Sequence, residues 1–559
     1  MLLMCFLLLE EWEKSFKHVC LRGRKNGPTH LGLLNGGING HILRYGIQWW
    51  LMCPTFFHLA DGPLPVHRSQ AIRAATLLHP LLMFHALTAS GKLKANTSRK
   101  TPLDMTAYKY IFNACRIPQQ GQDCYRISDP ASSNHVVVLR NNKFYKVDTV
   151  DKSGCLITET TLAQKFQDII SNAGSIESPI GVLTSWNRDD WAKARQQLLE
   201  DGNEQALRII EGAICAVCLD NYPVMSREQM AKNLWHGNGR NRFYDKSIQL
   251  IVAENGASGL LMEHSMADGF PASHYADYIM KVERSNAAKG SLPKRPVPDL
   301  NAALDKVQFN FTKETLKNIE AAEAAFDELI QKHDVRVLAF TGFGSDLIKS
   351  MKISPDAFCQ IAIQLAFYKM TGTFAPTYEP AMMLPFLHGR TETIRSVSSS
   401  SKEFCEEFMK CDLQDLGALS KLNELLRTAC NDHVQFTRDA ASGKGIDRHL
   451  LGLRFLLEPG EEASIFEDPT YSKTCRWKIS TSTLSNELFD GWGWGEVVPD
   501  GIGVAYTLKK KSLQFNVACR SDVDPALFKS QSICHFLQES LIQMRSITES
   551  EAAVMKSKL

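Results

Sequence analysis

Residues 247–269 have the sequence SIQLIVAENGASGLLMEHSMADG. This stretch predicts a β-hairpin, because two apolar runs flank the pair Asn255-Gly256, and Asn-Gly favours tight turns in which both central residues take positive φ. The second strand ends at His264, and the polar loop that follows leads into a helix predicted over residues 272–282. A histidine at the end of a strand, opening into a loop, lies where α/β folds place reactive groups.

Carboxylates stand on both sides of His264 in the sequence. Glu263 precedes it and Asp268 follows it, and either residue could orient the imidazole or tune its pKa, as a general base requires. The alternative is a structural histidine with satisfied hydrogen bonds, which is the commoner case in a chain with 16 histidines. The local pattern alone leaves both interpretations open.

Predicted helices and strands alternate on both sides of this hairpin. Before it, the pattern predicts helices over residues 71–89, 162–171 and 188–199, the first of them broken or kinked at Pro80, and strands over residues 136–139, 144–147 and 213–219. After it come helices over residues 313–333 and 354–370 and an extended segment over residues 335–340. Such interleaving predicts α/β layers in both halves of the chain.

The segment of residues 289–298 is rich in proline and lysine and is the best candidate for a connection between domains. We therefore expect an atypical segment over residues 1–65, a first domain over residues 66–306 that carries His264, and a second domain over residues 307–559. Residues 1–65 show no clean helical or strand period, and Ser398–Ser401 is expected to form a solvated loop.

Composition narrows the class of protein. The chain has 559 residues, 44% hydrophobic and 22% charged, which is typical of a globular protein with more than one domain. A net charge of +2 argues against a surface built to bind nucleic acid. The 15 cysteines show no regular framework and indicate reduced thiols in an intracellular protein. Cys215 and Cys218 form a CxxC inside an apolar run, where core packing is favoured over metal or redox work.

The two ends of the chain differ in their likeness to targeting signals. Met1–Leu9 is apolar but lacks a basic n-region, so it is a poor secretory signal, and we expect no transmembrane segment. The last three residues, Ser557-Lys558-Leu559, match the address that the peroxisomal import receptor recognises. We expect a polar, flexible tail that leaves this address accessible, with the mitochondrion as a possible second location.

Other catalytic motifs fit poorly. Gly491, Gly493 and Gly495 are not followed by a helix start, as a dinucleotide-binding fingerprint would require. The chain contains neither a phosphate-binding GxxxxGK[ST] loop nor a GxSxG nucleophile elbow. A hydrolase with a serine nucleophile is therefore disfavoured.

Several blocks around His264 occur together and in a fixed order. Asn241–Lys246 precedes the hairpin and Glu263–Gly269 closes it; then follow Ser354–Phe358, Tyr378-Glu379, His388–Glu392, Ile394–Val397, Ile446–Leu450, Ser480–Ser482 and Val497–Gly501. With residues 108–118 and 136–147 upstream, this set resembles the choline/carnitine acyltransferase family over about residues 66–545. The resemblance implies two chloramphenicol-acetyltransferase-like domains, each a mixed β-sheet flanked by helices, with an active-site tunnel between them.

The resemblance also implies roles for single residues. His264 would be the base that takes the proton of the carnitine hydroxyl, or of the coenzyme A (CoA) thiol in reverse, and Ser482 would donate a hydrogen bond to the tetrahedral oxyanion. The positions matching the family's sites for the carnitine carboxylate are Arg448, Tyr378 and Thr391, and Trp494 matches an aromatic residue near the ammonium group. Lys349, Lys352 and Asp356 match residues of the CoA site, where Ser345 departs from the lysine of many relatives.

The resemblance implies that one position decides the length of the acyl chain that the protein transfers. Long-chain members of the family have glycine where this chain has Trp492, so the resemblance implies a closed acyl pocket and transfer of acetyl and other short groups between CoA and carnitine. The alternatives are a medium- or long-chain carnitine or choline acyltransferase, or a catalytically impaired member, since residues 1–65 do not look like the family's helical N-terminus. We expect a monomer that uses CoA as a co-substrate, with no permanently bound cofactor and no metal.

Overall fold

The computed structural model describes residues 54–98, 100–523 and 530–557. Within these ranges the chain forms two mixed β-sheets flanked by helices, which confirms the predicted α/β class. The two longer sheets are accompanied by two short antiparallel ribbons.

The strands are β1 (Thr55–Leu59), β2 (Thr97–Ser98), β3 (Thr101–Pro102), β4 (Ala114–Ile117), β5 (Cys124–Ile127), β6 (His135–Arg140), β7 (Lys143–Asp148), β8 (Ala216–Leu219), β9 (Ile248–Val252), β10 (Ser258–Met262), β11 (His333–Phe340), β12 (Thr377–Met382), β13 (Thr391–Arg395), β14 (Ile479–Thr483), β15 (Phe489–Gly493), β16 (Ile502–Leu508) and β17 (Leu513–Arg520).

The α-helices are α1 (Gln70–Ala89), α2 (Glu159–Asn172), α3 (Arg188–Glu200), α4 (Glu204–Gly212), α5 (Arg227–Trp235), α6 (Gly269–Ala288), α7 (Lys313–Gln331), α8 (Ser345–Ser350), α9 (Pro355–Thr371), α10 (Ser399–Lys410), α11 (Leu416–Asp439), α12 (Asp447–Phe455), α13 (Ser464–Glu467), α14 (Pro469–Cys475) and α15 (Ser530–Ser557).

The first sheet runs in the order β15-β1-β10-β9-β8-β6-β7, with β8 parallel to β6 and β9 and the other pairs antiparallel. Every residue of β9 and β10 is buried, because helices cover both faces of the sheet. Alternate side chains of the strands enter two separate cores: one contains α1, α2 and α6, and the other contains α3, α4, α5 and α7. This explains the unbroken apolar run in β9.

The second sheet runs in the order β11-β17-β16-β14-β12-β13. The neighbouring strands β12, β14 and β16 are parallel to one another, β13 pairs antiparallel with β12 at one edge, and β17 and β11 continue the sheet antiparallel at the other. A third core packs α9, α11 and α15 against this sheet. The helix predicted over residues 354–370 is α9: Ser354 caps it by accepting a hydrogen bond from the Ala357 amide, and Pro355 is at the first helical position.

Strand β1 lies within residues 1–65, where the sequence shows no clean helical or strand period. It lies inside the first sheet, paired antiparallel with β10 on one side and with β15 on the other. Its sequence TFFHL is too short to show a period, and both partners come from later in the chain. Because β15 follows residue 307, the first sheet draws on both expected domains; residues 1–53 lie outside the described part of the structure.

The hairpin predicted before His264 is confirmed, and the strands predicted over residues 136–139 and 144–147 form a second hairpin with a different turn. Asn141 and Asn142 take φ values of 52° and 64° between the paired residues Arg140 and Lys143, which makes a tight two-residue turn. The hairpin before His264 has a longer loop over residues 253–257, in which Gly256 takes positive φ while Asn255 does not. The expectation of two positive φ values there was wrong.

Two further local predictions were wrong. Helix α1 continues through Pro80 without a break, and most of its residues are buried in the core. Ser398–Ser401 is not a solvated loop: Ser398 caps α10 in a reciprocal capping box with Ser401, which is fully buried. Serine is favoured both in loops and at helix starts, so its run of four did not distinguish them.

Other sequence expectations concern the thiols and the end of the chain. Cys215 and Cys218 are free and buried in the core, where loss of hydration raises the pKa of both thiols to about 12. Within the described ranges, every helix is too short or too polar to cross a bilayer. Helix α15 continues to Ser557 in place of the expected flexible tail, and Lys558 and Leu559 lie outside the described residues.

Candidate active site

His264 lies in the loop between β10 and α6. The strand ends at Met262, and Asp268 occupies the N-cap position of α6 in an extended conformation. Asp268 makes no side-chain cap hydrogen bond, so its carboxylate is available for another partner. His264 is half-buried, as expected of a residue that must meet a ligand.

Arg390 is the partner that fixes this loop. Its Nε and Nη2 donate to the two carboxylate oxygens of Asp268 at 2.9 and 2.8 Å. Its Nη1 donates to the carbonyl of Ser265 at 2.6 Å, and Nη2 also donates to the carbonyl of His264 at 3.2 Å. A bidentate pair combined with two carbonyl contacts holds the loop in one conformation.

Glu263 has a separate role on the other side of His264. Its carboxylate accepts hydrogen bonds from Tyr125 Oη at 2.8 Å, Ser265 Oγ at 2.7 Å and Arg116 Nη1 at 3.3 Å. Burial would raise the pKa of Glu263, but the charge of Arg116 and these hydrogen bonds hold it below its usual value. Glu263 is therefore an ionised anchor for the loop.

The imidazole of His264 is kept neutral. Loss of hydration lowers its pKa below the usual value and outweighs Asp268, which raises it, while Arg390 adds to the lowering. A general base has to be unprotonated at the pH where it works. At neutral pH His264 is therefore ready to accept a proton.

Three of the predicted site residues meet in the second sheet. Arg448, at the start of α12, donates from Nη2 to Tyr378 Oη and to Thr391 Oγ1, both at 3.2 Å, and from Nε to the Thr391 carbonyl at 3.0 Å. All three side chains are half-buried, so the cluster can be reached by a ligand. A guanidinium between two hydroxyl groups is suited to bind a carboxylate.

The cluster of Arg448, Tyr378 and Thr391 is joined to the His264 loop through two consecutive residues. Arg390 binds the loop, and the next residue, Thr391, contacts Arg448. Burial would raise the pKa of Asp268, but the positive charges of Arg390 and Arg448 and the hydrogen bonds from Arg390 hold it below its usual value. The candidate base and the candidate carboxylate site are thus held in a fixed relation.

The predicted oxyanion donor Ser482 lies on β14. Thr481 is buried, donating from its hydroxyl to the Tyr378 carbonyl at 2.8 Å and accepting from Gln360 Nε2 at 2.9 Å. Strand alternation places Ser482 on the opposite face from Thr481, and Ser482 is half-buried. Beyond this strand, Leu484 packs against Gly269 at the start of α6, where an added Cβ would lie 3.4 Å from the leucine.

Trp492 and Trp494 form an aromatic wall at the end of β15. Their ring centroids are 5.1 Å apart, and Trp492 is 4% exposed while Trp494 is half-buried. The indole of Trp492 donates to the carbonyl of Tyr506 at 3.0 Å. Position 492 is therefore filled by a ring with a fixed orientation.

The residues predicted for CoA fall into two places. Lys349 on α8 and Lys352 after it are both exposed, and Lys352 takes a φ of 59°, unusual for a residue with a side chain. Asp356 lies in the first turn of α9, where its Oδ1 is 2.6 Å from the Tyr506 hydroxyl. Burial and the charge of Glu379 raise the pKa of Asp356 to about 7.

Asp356 belongs to a buried polar cluster that the sequence did not indicate. Glu379 accepts from His433 Nε2 at 2.9 Å and lies 3.1 Å from the Tyr506 hydroxyl. Asp356, Glu379 and His433 each offer one ligand atom within 4.8 Å of the others, the one such group in the described ranges that could hold a metal ion. In this structure those atoms are engaged with one another and with Tyr506.

Sequence reasoning also missed Arg390. Arg390 lies in one of the blocks that resemble the family, but its ion pair with Asp268 joins positions 122 residues apart and leaves no local signal of which residues pair. One signal was available: Asp268 stands beside a candidate base, and a carboxylate there needs a cation. No comparable signal marked Tyr506, which lies in an apolar strand.

Comparison with known proteins gives consistent matches. The family model described as Choline/Carnitine o-acyltransferase matches residues 47–532. The mitochondrial carnitine O-acetyltransferase of Saccharomyces cerevisiae is 33% identical over 473 residues, 81% of this chain and 70% of its own length. The carnitine O-acetyltransferase of Columba livia is 32% identical over 544 residues, 92% of this chain and 84% of its own length.

A human relative carries a different activity in its name. The mitochondrial carnitine O-palmitoyltransferase 2 of Homo sapiens is 33% identical over 420 residues, 75% of this chain and 63% of its own length. Among solved structures, a condensation domain of the enacyloxin polyketide synthase is 11% identical, covers 92% of this chain and 82% of its own, and has a TM-score of 0.36. A likeness at that level carries no functional information. Because the family model spans most of the chain and the pigeon relative is 32% identical over 92% of it, this chain belongs to the choline/carnitine acyltransferase family.

Proposed function

We propose that this chain transfers acetyl and other short acyl groups reversibly between CoA and the hydroxyl of carnitine. The observation that carries the proposal is the cluster of Arg448, Tyr378 and Thr391, joined through Arg390 to the loop of His264. Carnitine has a carboxylate for the guanidinium to bind. Choline has none, and a site built for it would gain nothing from Arg448.

The chemistry starts from the neutral imidazole. His264 accepts the proton of the carnitine hydroxyl while the oxygen attacks the thioester carbon, and a C–O bond forms. The tetrahedral oxyanion accepts a hydrogen bond from Ser482. Its collapse breaks the C–S bond, and the imidazolium returns the proton to the sulfur of CoA. No other acid or base is needed, and the same steps run in reverse.

The two substrates meet different surfaces in this proposal. The quaternary ammonium of carnitine has no hydrogen to donate, so it favours the aromatic face of Trp494. Lys349 and Lys352 provide exposed positive charge for the CoA phosphates, whereas Asp356 at the start of α9 accepts a hydrogen bond from Tyr506. The well-placed base would contribute roughly 10² to 10⁴ in rate, and the oxyanion donor about 10² to 10³.

The short acyl chain is the finer part of the proposal and depends on Trp492. Its ring fills the position where the resemblance implies an open pocket in long-chain members, and its hydrogen bond to Tyr506 keeps it there. A longer-chain activity is the second candidate, because relatives named as palmitoyltransferases match this chain as well as those named as acetyltransferases. The domain boundaries, the peroxisomal address Ser557-Lys558-Leu559 and the monomeric state stay predictions.

A substrate panel tests the proposal directly. Purified full-length protein is assayed with acetyl-, octanoyl- and palmitoyl-CoA, each with carnitine and with choline, and kcat/KM is measured for every pair. We expect the highest value for acetyl-CoA with carnitine. Comparable values for palmitoyl-CoA would overturn the short-chain assignment, a preference for choline would overturn the role of Arg448, and inactivity in every pair would overturn the transferase proposal.

A further inference from the structure

We infer that Phe57 is a second determinant of acyl-chain length, stacked against Trp492 so that the two rings close the acyl pocket together. This inference rests on the function proposed above, in which Trp492 borders the acyl group. Phe57 lies on β1, within the segment of the chain that showed no regular pattern in the sequence.

Strand pairing places the two aromatic residues side by side. Phe57 is the direct partner of Trp492 on β15 and of Leu260 on β10. The ring centroids of Phe57 and Trp492 are 6.2 Å apart and the planes differ by 11°, so the rings are stacked. Phe57 is completely buried.

Three rings form a row that leads from the site into the core. Trp494, half-buried and proposed to face the ammonium group, is 5.1 Å from Trp492, and Trp492 is followed by Phe57. An acyl chain that passed the position of Trp492 would meet the face of Phe57 next. Removing the indole alone therefore leaves a second barrier.

Each ring is also held independently of the other. The indole of Trp492 is fixed by its hydrogen bond to the Tyr506 carbonyl, and the Trp492 carbonyl accepts from Asn516 Nδ2 at 2.6 Å. Phe57 is held by Phe489, whose ring meets it edge-on at 5.9 Å. Because neither ring depends on the other for its position, either one alone keeps the pocket closed.

A double-mutant cycle tests this arrangement. The wild type, Phe57→Val, Trp492→Gly and the double variant are compared by the ratio of kcat/KM for palmitoyl-CoA to that for acetyl-CoA, with carnitine as acceptor. We expect Phe57→Val alone to change the ratio less than about 3-fold and the double variant to exceed the product of the two single effects by about 10-fold or more. A double variant equal to that product would overturn the inference.

Controls separate pocket closure from core packing. Phe84 on α1 is fully buried in the same core, with Tyr108, His274 and Tyr278 as ring partners. Phe84→Val should lower the Tm as Phe57→Val does and leave the chain-length ratio unchanged, alone or with Trp492→Gly. If the double variant does not fold, Phe57→Leu with Trp492→Gly retains more volume and should still raise the ratio; no rise in that variant would contradict the inference.

Binding distinguishes failure of this inference from failure of the proposed function. Affinities for palmitoyl-CoA and CoA are measured by calorimetry, which needs no turnover. If the wild type transfers no acyl group, the proposed function fails, yet the double variant should still gain affinity for palmitoyl-CoA relative to CoA. If the wild type is active and the double variant gains neither rate nor affinity with palmitoyl-CoA, Phe57 is only a core residue.

Discussion

The polar and the aromatic ends of the candidate site are built in different ways. Arg448, Tyr378 and Thr391 belong to one sheet and its neighbouring helix, and hydrogen bonds of 3.0 to 3.2 Å join them. Phe57 and Trp492 come from the first and one of the last strands of the described chain and meet only because β1 pairs with β15. The proposed acceptor site is thus local to one part of the fold, and the proposed acyl site is assembled from distant segments. Substitutions at the two ends should therefore change different substrates.

As the proposed base, His264 would act on both substrates, so its loss should lower the rate for every substrate pair by a similar factor. We expect His264→Ala to lower kcat by about 10² to 10⁴, by the same factor for every acyl donor and for carnitine concentrations above KM, because only the proton acceptor is removed. The measurement is steady-state kinetics across the substrate panel. His535→Ala, an exposed histidine on α15, is the matched control and should retain wild-type rates. Full activity in His264→Ala would contradict the assignment of the base.

Arg448→Gln should damage the polar end alone. Losing hydrogen bonds to a charged group costs about 1.5 to 3 kcal/mol, so we expect kcat/KM for carnitine to fall about 10- to 100-fold. The ratio of palmitoyl-CoA to acetyl-CoA activity should not change, since Trp492 and Phe57 are untouched. A matched control is Arg476→Gln, which removes an exposed ion pair with Asp500. A shift in chain-length preference in Arg448→Gln would show that the two ends are coupled.

Arg390→Gln should act through His264 and be visible in the pH profile. Arg390 lowers the pKa of His264 and Asp268 raises it, so removing the guanidinium raises that pKa. Because the base works in its neutral form, the acid limb of kcat/KM should move to higher pH, whereas in the wild type it lies below the ordinary histidine value. We also expect kcat at high pH to fall about 10-fold, since the loop loses its fixed position. An acid limb that stays in place would contradict the proposed coupling.

The parts of the fold that were predicted from sequence are determined by residues that lie close together in the chain. The hairpin of β9 and β10, the strands β6 and β7, and the helix α9 each depend on residues a few positions apart. The cluster of Arg448, Tyr378 and Thr391 was implied by the resemblance to the family and not by a local pattern, and the structure brings these three residues together. Strand β1 was missed because its five residues are too few to show a period, and the strands that pair with it come from later in the chain.

The site residues that were missed depend on long-range contacts. Arg390 finds Asp268 across 122 positions, and Phe57 finds Trp492 through the pairing of strands from the two halves. Helix α1 also depends on tertiary contacts that local propensity does not show, because packing on both sides keeps it continuous through Pro80. Local propensity and spacing contain no information on which distant partners meet.

Lys352→Gly should give the smallest effect, and it separates backbone strain at this residue from its proposed binding of the CoA phosphates. Lys352 takes a φ of 59°, which costs a residue with a side chain about 1 kcal/mol and suits glycine. We therefore expect an unfolding free energy unchanged or raised by up to about 1 kcal/mol, measured by denaturant titration. The KM for acetyl-CoA should rise a few-fold, while the KM for acetyl-pantetheine, which has no phosphates, should not. Asn142→Gly, at a φ of 64° in the first sheet, is the matched control for the backbone and should leave both KM values unchanged. Equal increases in KM for both donors would show that Lys352 shapes the site without contacting phosphate.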